Sequence, residues 1–224
     1  MLVFFVSCSS TPARLSANNK PVAFPITKAP TARVPEKKVQ VKEAASTKKN
    51  RPQDVIPPTP DYILGKGHVD SEKLAQFLVR FNPKIDKPFA RSFAKLYVEE
   101  AGLEGVNHDI AFSQMCLETG FLSFGGLVTA DMNNYCGLGS LGPGQAGEKF
   151  PTPEIGVRAQ IQHLKAYATD EPPKKEVVDP RRRWVRYGSA PTIYALSGAW
   201  AADKEYGKKL KQILDNLYEE SFGS

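Results

Sequence analysis

From about residue 61 onward, apolar positions recur with the period of a helix. Leu74, Phe77, Leu78 and Phe81 fall at i, i+3, i+4 and i+7, and Asp70 is placed to cap the helix they predict. Asn82-Pro83 ends it, because the residue before a proline is pushed out of the helical region. Phe89, Phe93, Leu96 and Tyr97 predict a second helix that stops near Gly102. A third starts after Asn107 and runs through Glu118 to a glycine stop at Gly120. Val157, Ile161, Leu164 and Ala168 mark a fourth, and Tyr206, Leu210, Ile213, Leu214, Leu217 and Tyr218 form one stripe of a fifth. Residues 121–153 are rich in Gly and Asn and predict loop or a short β-ribbon, while 171–197 read as irregular. Strands and helices do not alternate, which disfavours a doubly wound sheet. The pattern predicts a mainly α domain over 61–224.

Composition divides the chain at the same point. Residues 9–60 hold nine of the 18 prolines and no sustained apolar period. Such a segment cannot bury enough apolar surface to offset the entropy of ordering, so a disordered Pro/Lys-rich tether is expected there. Residues 1–60 carry 10 Lys/Arg against 3 Asp/Glu, and the rest 20 against 21, so the overall charge of +6 sits on the tether. A nucleic-acid partner would call for positive charge on the folded part, so none is expected.

The chain opens with an apolar run that ends at Ser7 and Cys8. This resembles the lipobox of bacterial lipoproteins, in which the thiol is acylated and the leader is cut just before it. It implies a signal remnant at 1–8, a lipid anchor on Cys8 and a place in the cell envelope, facing the periplasm or the exterior. The other cysteines are Cys116 and Cys136, and the histidines are His68, His108 and His163. No CxxC or HExxH pattern occurs, so no metal and no cofactor are expected. Cys116 and Cys136 are read either as a disulfide or, preferentially, as two buried reduced thiols. A thiol-peptidase pairing of Cys116 with His108 or His163 is disfavoured, because a cysteine deep in a helix gains no activation from the helix dipole. His163 reads as structural and Arg181-Arg182-Arg183 as a solvated charge run that could meet wall carboxylates.

Glu118 is the candidate that carries chemistry. It lies in the last turn of the third helix, on one stripe with Ala111, Gln114 and Met115. The negative end of the helix dipole and apolar neighbours both disfavour its carboxylate, which raises the pKa. A glycosidase needs such an acid to protonate the leaving sugar oxygen.

Four ordered blocks extend this reading. They are Gln114 with Leu117-Glu118-Thr119-Gly120, then Asn133-Asn134-Tyr135-Cys136-Gly137-Leu138, then the run from Gly156 to Tyr167 with Gly188-Ser189-Ala190-Pro191, then Trp200 to Leu210 with Tyr206 inside it. Together, over about 64–220, they resemble the glucosaminidase domain of bacterial cell-wall hydrolases, glycoside hydrolase family 73. The resemblance implies a lysozyme-like α+β fold, mainly helical, with a small β-lobe beside the cleft that is reduced if the short Gly-rich stretch cannot hold one. It implies peptidoglycan as substrate, cleavage of the glycan strand at N-acetylglucosamine, and a monomer.

It carries Glu118 over as general acid and Tyr206 as a cleft tyrosine, whose alternative is core packing. Asn133 and Asn134 would shape the cleft and bind sugar amides or hydroxyls. Gln114 would join them, and Tyr135 and Trp200 would stack on sugar faces or fill core. For the second carboxylate, Glu148 sits at the expected offset, and Asp131 or the substrate's own acetamido group assisted by Tyr206 are alternatives. Two other functions stay open: a wall-binding, adhesin-like module of the same fold, and a wall amidase.

Overall fold

The computed structural model describes residues 56–140, 145 and 147–223. Cys8 and the tether up to residue 55 lie outside the described residues. The described chain forms helices α1 (Ser71–Phe81), α2 (Lys87–Glu104), α3 (His108–Thr119), α4 (Pro153–Ala168) and α5 (Tyr206–Phe222), with short 3-10 turns at Ala130–Met132 and Arg182–Trp184.

The starts of α1 to α4 are each set by a side chain that satisfies an orphan backbone donor. Asp70 accepts from the N–H of Lys73, Asp86 from Phe89 and Thr152 from Ile155. Asn107 accepts from both Asp109 and Ile110 at the head of α3. Helix α2 runs past the predicted stop at Gly102 and ends at Glu104. Its left-handed cap is Gly105, at φ +75°. A glycine inside a helix costs only about 1 kcal/mol, so Gly102 does not break it. The left-handed turn falls on the later glycine, where no Cβ penalty arises.

Helix α3 is the centre of the domain. All its residues are buried except Leu117 and Glu118. It packs against α2, α4 and α5, and Phe112 meets Tyr97 of α2 edge-on at 5.4 Å. The foot of α3 is tied by Asp109, which is fully buried. Its carboxylate accepts from the backbone N–H of His68 at 2.7 Å and from the Tyr218 hydroxyl of α5 at 2.7 Å. One residue on α3 thus fixes both the segment that leads into α1 and the far end of α5. Among the described residues no helix is long and apolar enough to cross a membrane.

The small β-lobe takes the reduced form that the short Gly-rich stretch allows. Among the described residues, 121–153 hold no strand and one bridge position, Gln145, and the other isolated bridges join Tyr62 with Thr192, Leu64 with Val106, and Ser197 with Ala201. Side chains take over what a ladder would do. Asn133 Nδ2 donates to the Phe150 carbonyl at 2.9 Å. Asn134 Nδ2 donates to the carbonyls of Leu138 and Glu148 at 2.9 and 3.0 Å, and its Oδ1 accepts from Leu138 N–H. This lobe of turns lies directly on α4 at Gly156, where a Cβ would stand 1.8 Å from the Asn133 carbonyl oxygen. Only glycine allows that approach.

The described residues before 61 also touch the domain. Thr59 Oγ1 donates to Asp215 of α5 at 2.8 Å, which seats the end of the expected tether on the domain.

Candidate active site

Glu118 stands at the C-terminal end of α3, two residues before Gly120 turns the chain left-handed at φ +58°. Its carboxylate meets side chains brought from the C-terminal third of the chain. Tyr206, the first residue of α5, donates its hydroxyl to Oε1 at 2.6 Å. Trp200 donates its indole N–H to the same oxygen at 3.0 Å. Among the described residues, no donor reaches Oε2. One oxygen is therefore held from two sides, and among the described residues the other is left without a donor.

Nothing charged offsets this burial. Desolvation raises the Glu118 pKa, the hydrogen bonds from Tyr206 and Trp200 draw it part of the way back, and it settles at about 7. Tyr206 goes up as well, well above the ordinary tyrosine value, through its own burial and the neighbouring Glu118. It therefore stays a phenol and a donor. The arrangement is a carboxylic acid that keeps its proton near neutral pH and has one free oxygen with which to deliver it.

A family model described as mannosyl-glycoprotein endo-beta-N-acetylglucosaminidase matches residues 94–219, a stretch that contains Glu118, Trp200 and Tyr206. The chain belongs to the glucosaminidase family. Its function class is accordingly that of a glycoside hydrolase of the peptidoglycan-hydrolase type. The glucosaminidase chain is also 44% identical over 158 residues to a chain described as an uncharacterized protein of Borreliella burgdorferi strain B31, covering 70% of this chain and 78% of that one. No solved structure gives a significant match.

Within this glucosaminidase domain the other sequence candidates separate into groups. Gln114 is fully buried and donates to the Tyr206 hydroxyl at 3.1 Å, so it touches the acid's partner rather than open cleft. Trp200 is 7% exposed, and its ring lies edge-on to His163 at 5.1 Å. Its polar edge serves Glu118 and its faces are packed, in place of the expected stacking on sugar. Tyr135 packs edge-on to Phe93 at 4.7 Å and donates its hydroxyl to Asn133 at 3.2 Å, which makes it core. Asn134 is fully buried and spent on backbone. Asn133 is half-buried at φ +49° and holds the turn.

The candidate second carboxylates are of another kind. Glu148 is half-buried and lies 3.8 Å from the Arg181 guanidinium. Asp131 is exposed at the surface, bound by Lys149 at 2.7 Å and by the Thr129 hydroxyl at 2.6 Å. Those hydrogen bonds, from Lys149 first and Thr129 next, hold Asp131 below the usual carboxylate range.

Cys116 and Cys136 are free and buried, and burial pushes both thiols well above the ordinary value. His108 is engaged by the Val69 carbonyl, so no thiol–imidazole pair forms with it. The arginine run is not simply solvated: Arg181 and Arg183 each lie over the Trp184 ring, at 4.3 and 4.5 Å, and Arg182 lies over Tyr187.

Sequence reasoning missed the support behind Trp200. His163 Nδ1 meets the buried Asp179 carboxylate at 2.7 Å, so an Asp–His pair backs the indole that bonds Glu118. It also passed over Gln160, a polar residue on the apolar stripe of α4. A polar side chain inside a stripe of apolar neighbours is the signal that finds such a residue.

Proposed function

We propose that this protein hydrolyses the glycan strand of peptidoglycan at N-acetylglucosamine, with Glu118 as the general acid. The observation that carries the reading is the asymmetry at Glu118: Oε1 takes two neutral donors, Oε2 takes none among the described residues, and the group holds its proton up to about pH 7. Oε2 gives its proton to the glycosidic oxygen as the bond from the sugar carbon to that oxygen breaks. The negative charge left on Glu118 is received at Oε1 by the Tyr206 and Trp200 donors. Tyr206 serves as donor throughout, because its phenol is pushed too high to act as a base. The group that activates water or holds the developing sugar cation is then Glu148, Asp131 or the substrate's own acetamido oxygen.

The envelope setting extends the same proposal. Acylation of Cys8 would fix the chain to a membrane, and the tether would let the domain reach the wall.

The test is digestion of purified peptidoglycan by wild type and Glu118→Gln, with the products read by mass spectrometry. Wild type should release fragments with new N-acetylglucosamine reducing ends, and the variant should be slower by about 10²–10⁴-fold. Release of stem peptides, or no soluble product from folded wild type, would overturn the reading.

A further inference from the structure

The Glu118 site continues inward as a chain of hydrogen bonds, and each helix from α2 to α5 supplies a member. Tyr97 of α2 donates its hydroxyl to Gln160 Oε1 at 2.7 Å. Gln160 of α4 donates from Nε2 to the Ala111 carbonyl at 3.0 Å and to Gln114 Oε1 at 2.9 Å. Gln114 of α3 donates from Nε2 to the Tyr206 hydroxyl at 3.1 Å, and Tyr206 of α5 donates to Glu118 at 2.6 Å. Tyr97, Gln160 and Gln114 are fully buried.

The direction of this chain is not arbitrary. A side-chain amide can be turned end for end, and a hydroxyl can donate either way, so most of the links are reversible in themselves. The Ala111 carbonyl is not, because a backbone oxygen can only accept. It therefore forces the Nε2 end of Gln160 toward α3. With Nε2 there, Gln114 must turn its oxygen to Gln160 and its Nε2 to Tyr206. With a donor already on its oxygen, the Tyr206 hydroxyl must spend its hydrogen on Glu118.

We infer that Gln160 and Gln114 are positioning residues that lock Tyr206 as a one-way donor to Oε1 of Glu118. The inference rests on Glu118 being the acid of the proposed reaction. The titratable groups near Glu118 are Tyr206 on α5 and the Cys136 thiol from the turn lobe, with the His163–Asp179 pair behind Trp200 and Tyr97 of α2 at the far end of the chain. Burial and the donors on Oε1 act on Glu118 directly, so loss of the Tyr206 donor should raise its titration point.

Glu118 is read in the whole protein by carbon NMR of labelled glutamate carboxyls, assigned against Glu118→Gln. Gln160→Met frees Gln114 to turn its oxygen toward Tyr206, which draws the hydroxyl hydrogen off Glu118. The titration midpoint should rise by about one pH unit, with the alkaline limb of any hydrolytic activity moving alongside it. Adding Gln114→Met removes the competing acceptor and should bring the midpoint back to the wild-type value. A merely structural role would make the double variant worse, not restore it. Tyr97→Phe leaves Ala111 to orient Gln160 and should not move the midpoint. In the wild type, without any substitution, the Gln114 amide protons should show nuclear Overhauser contacts to the Tyr206 ring. An unmoved midpoint in Gln160→Met, a double variant that stays shifted, a shift in Tyr97→Phe, or Gln114 amide protons facing Gln160 would each overturn the inference. The titration needs no turnover, so a failed digestion leaves it readable and sinks only the functional reading.

Discussion

Glu118 and Glu104 are glutamates at the ends of adjacent helices, and their surroundings set them opposite tasks. Glu104 ends α2 and is 2% exposed. It takes the Lys165 ammonium at 2.9 Å and the backbone N–H groups of Lys174 and Lys175. Burial drives its pKa up, yet those backbone bonds and the Lys165 charge outweigh it, and the carboxyl ends below its ordinary value. Beside it, Glu100 is held in the same way by Arg158 and Lys175. Glu118 takes hydrogen bonds from a phenol and an indole, with no cation among the groups that shift it, and burial wins. Cationic partners thus yield a carboxylate that fastens α2 to α4, while neutral partners yield an acid that keeps its proton. Burial alone would not have told them apart.

The hardest way to break this contrast is at Lys165. Lys165→Met leaves the Glu104 charge buried without its cation, and unfolding by denaturant should show a loss of about 3–5 kcal/mol. The NMR midpoint of Glu118 should stay where it was, which separates the fastening cluster from the acid.

A somewhat smaller effect sharpens the contrast through pH. The folded-state pKa of Glu118 lies above its unfolded value of 4.5, at about 7. The folded state therefore binds the extra proton, and its contribution to stability is full below about 4.5 and lost as pH rises through 7. Glu118→Gln removes that loss, so above pH 7 the variant should be more stable than wild type by up to about 3 kcal/mol, and near pH 4 the two should melt alike. Glu104 runs the other way: its folded pKa is depressed, so its contribution is present above the unfolded value and fades as pH falls. Melting curves across pH check both signs.

The smallest expected effect is at Asp131. Its carboxylate and its partner Lys149 are both largely exposed, at 69% and 64% of their side chains. Asp131→Asn should leave both the melting temperature and the rate of peptidoglycan digestion unchanged. A large loss of rate with intact folding would promote Asp131 to the second carboxylate and demote Glu148.

Much of the frame was legible because apolar residues recur along one stripe of α1, α4 and α5, and Asp70 marks the start of α1. Helix α3 was harder to interpret in detail. It has hardly any exposed face, so its polar residues could not be assigned inward or outward from their spacing. That is why Gln114 read as a sugar contact and proved to be a buried link. Glu118 and Tyr206 were legible as motif members, and they do meet. Asp179 was visible only as a residue before a proline, because it reaches His163 through an irregular segment that has no period to read. The form of the reduced lobe was not legible for a related reason: Asn133 and Asn134 mark turns in sequence, and here their side chains replace strand pairing rather than connect strands.

The near-total enclosure of α3 has a consequence for motion. Its amide hydrogens cannot meet solvent through a local opening of one surface, since α2, α4 and α5 would all have to part. Exchange of those hydrogens with deuterium should therefore follow unfolding of the whole domain, with fraying confined to the end at Gly120. On this expectation Glu118 should fall at the boundary between the slowly exchanging body of α3 and the faster turns that follow Gly120.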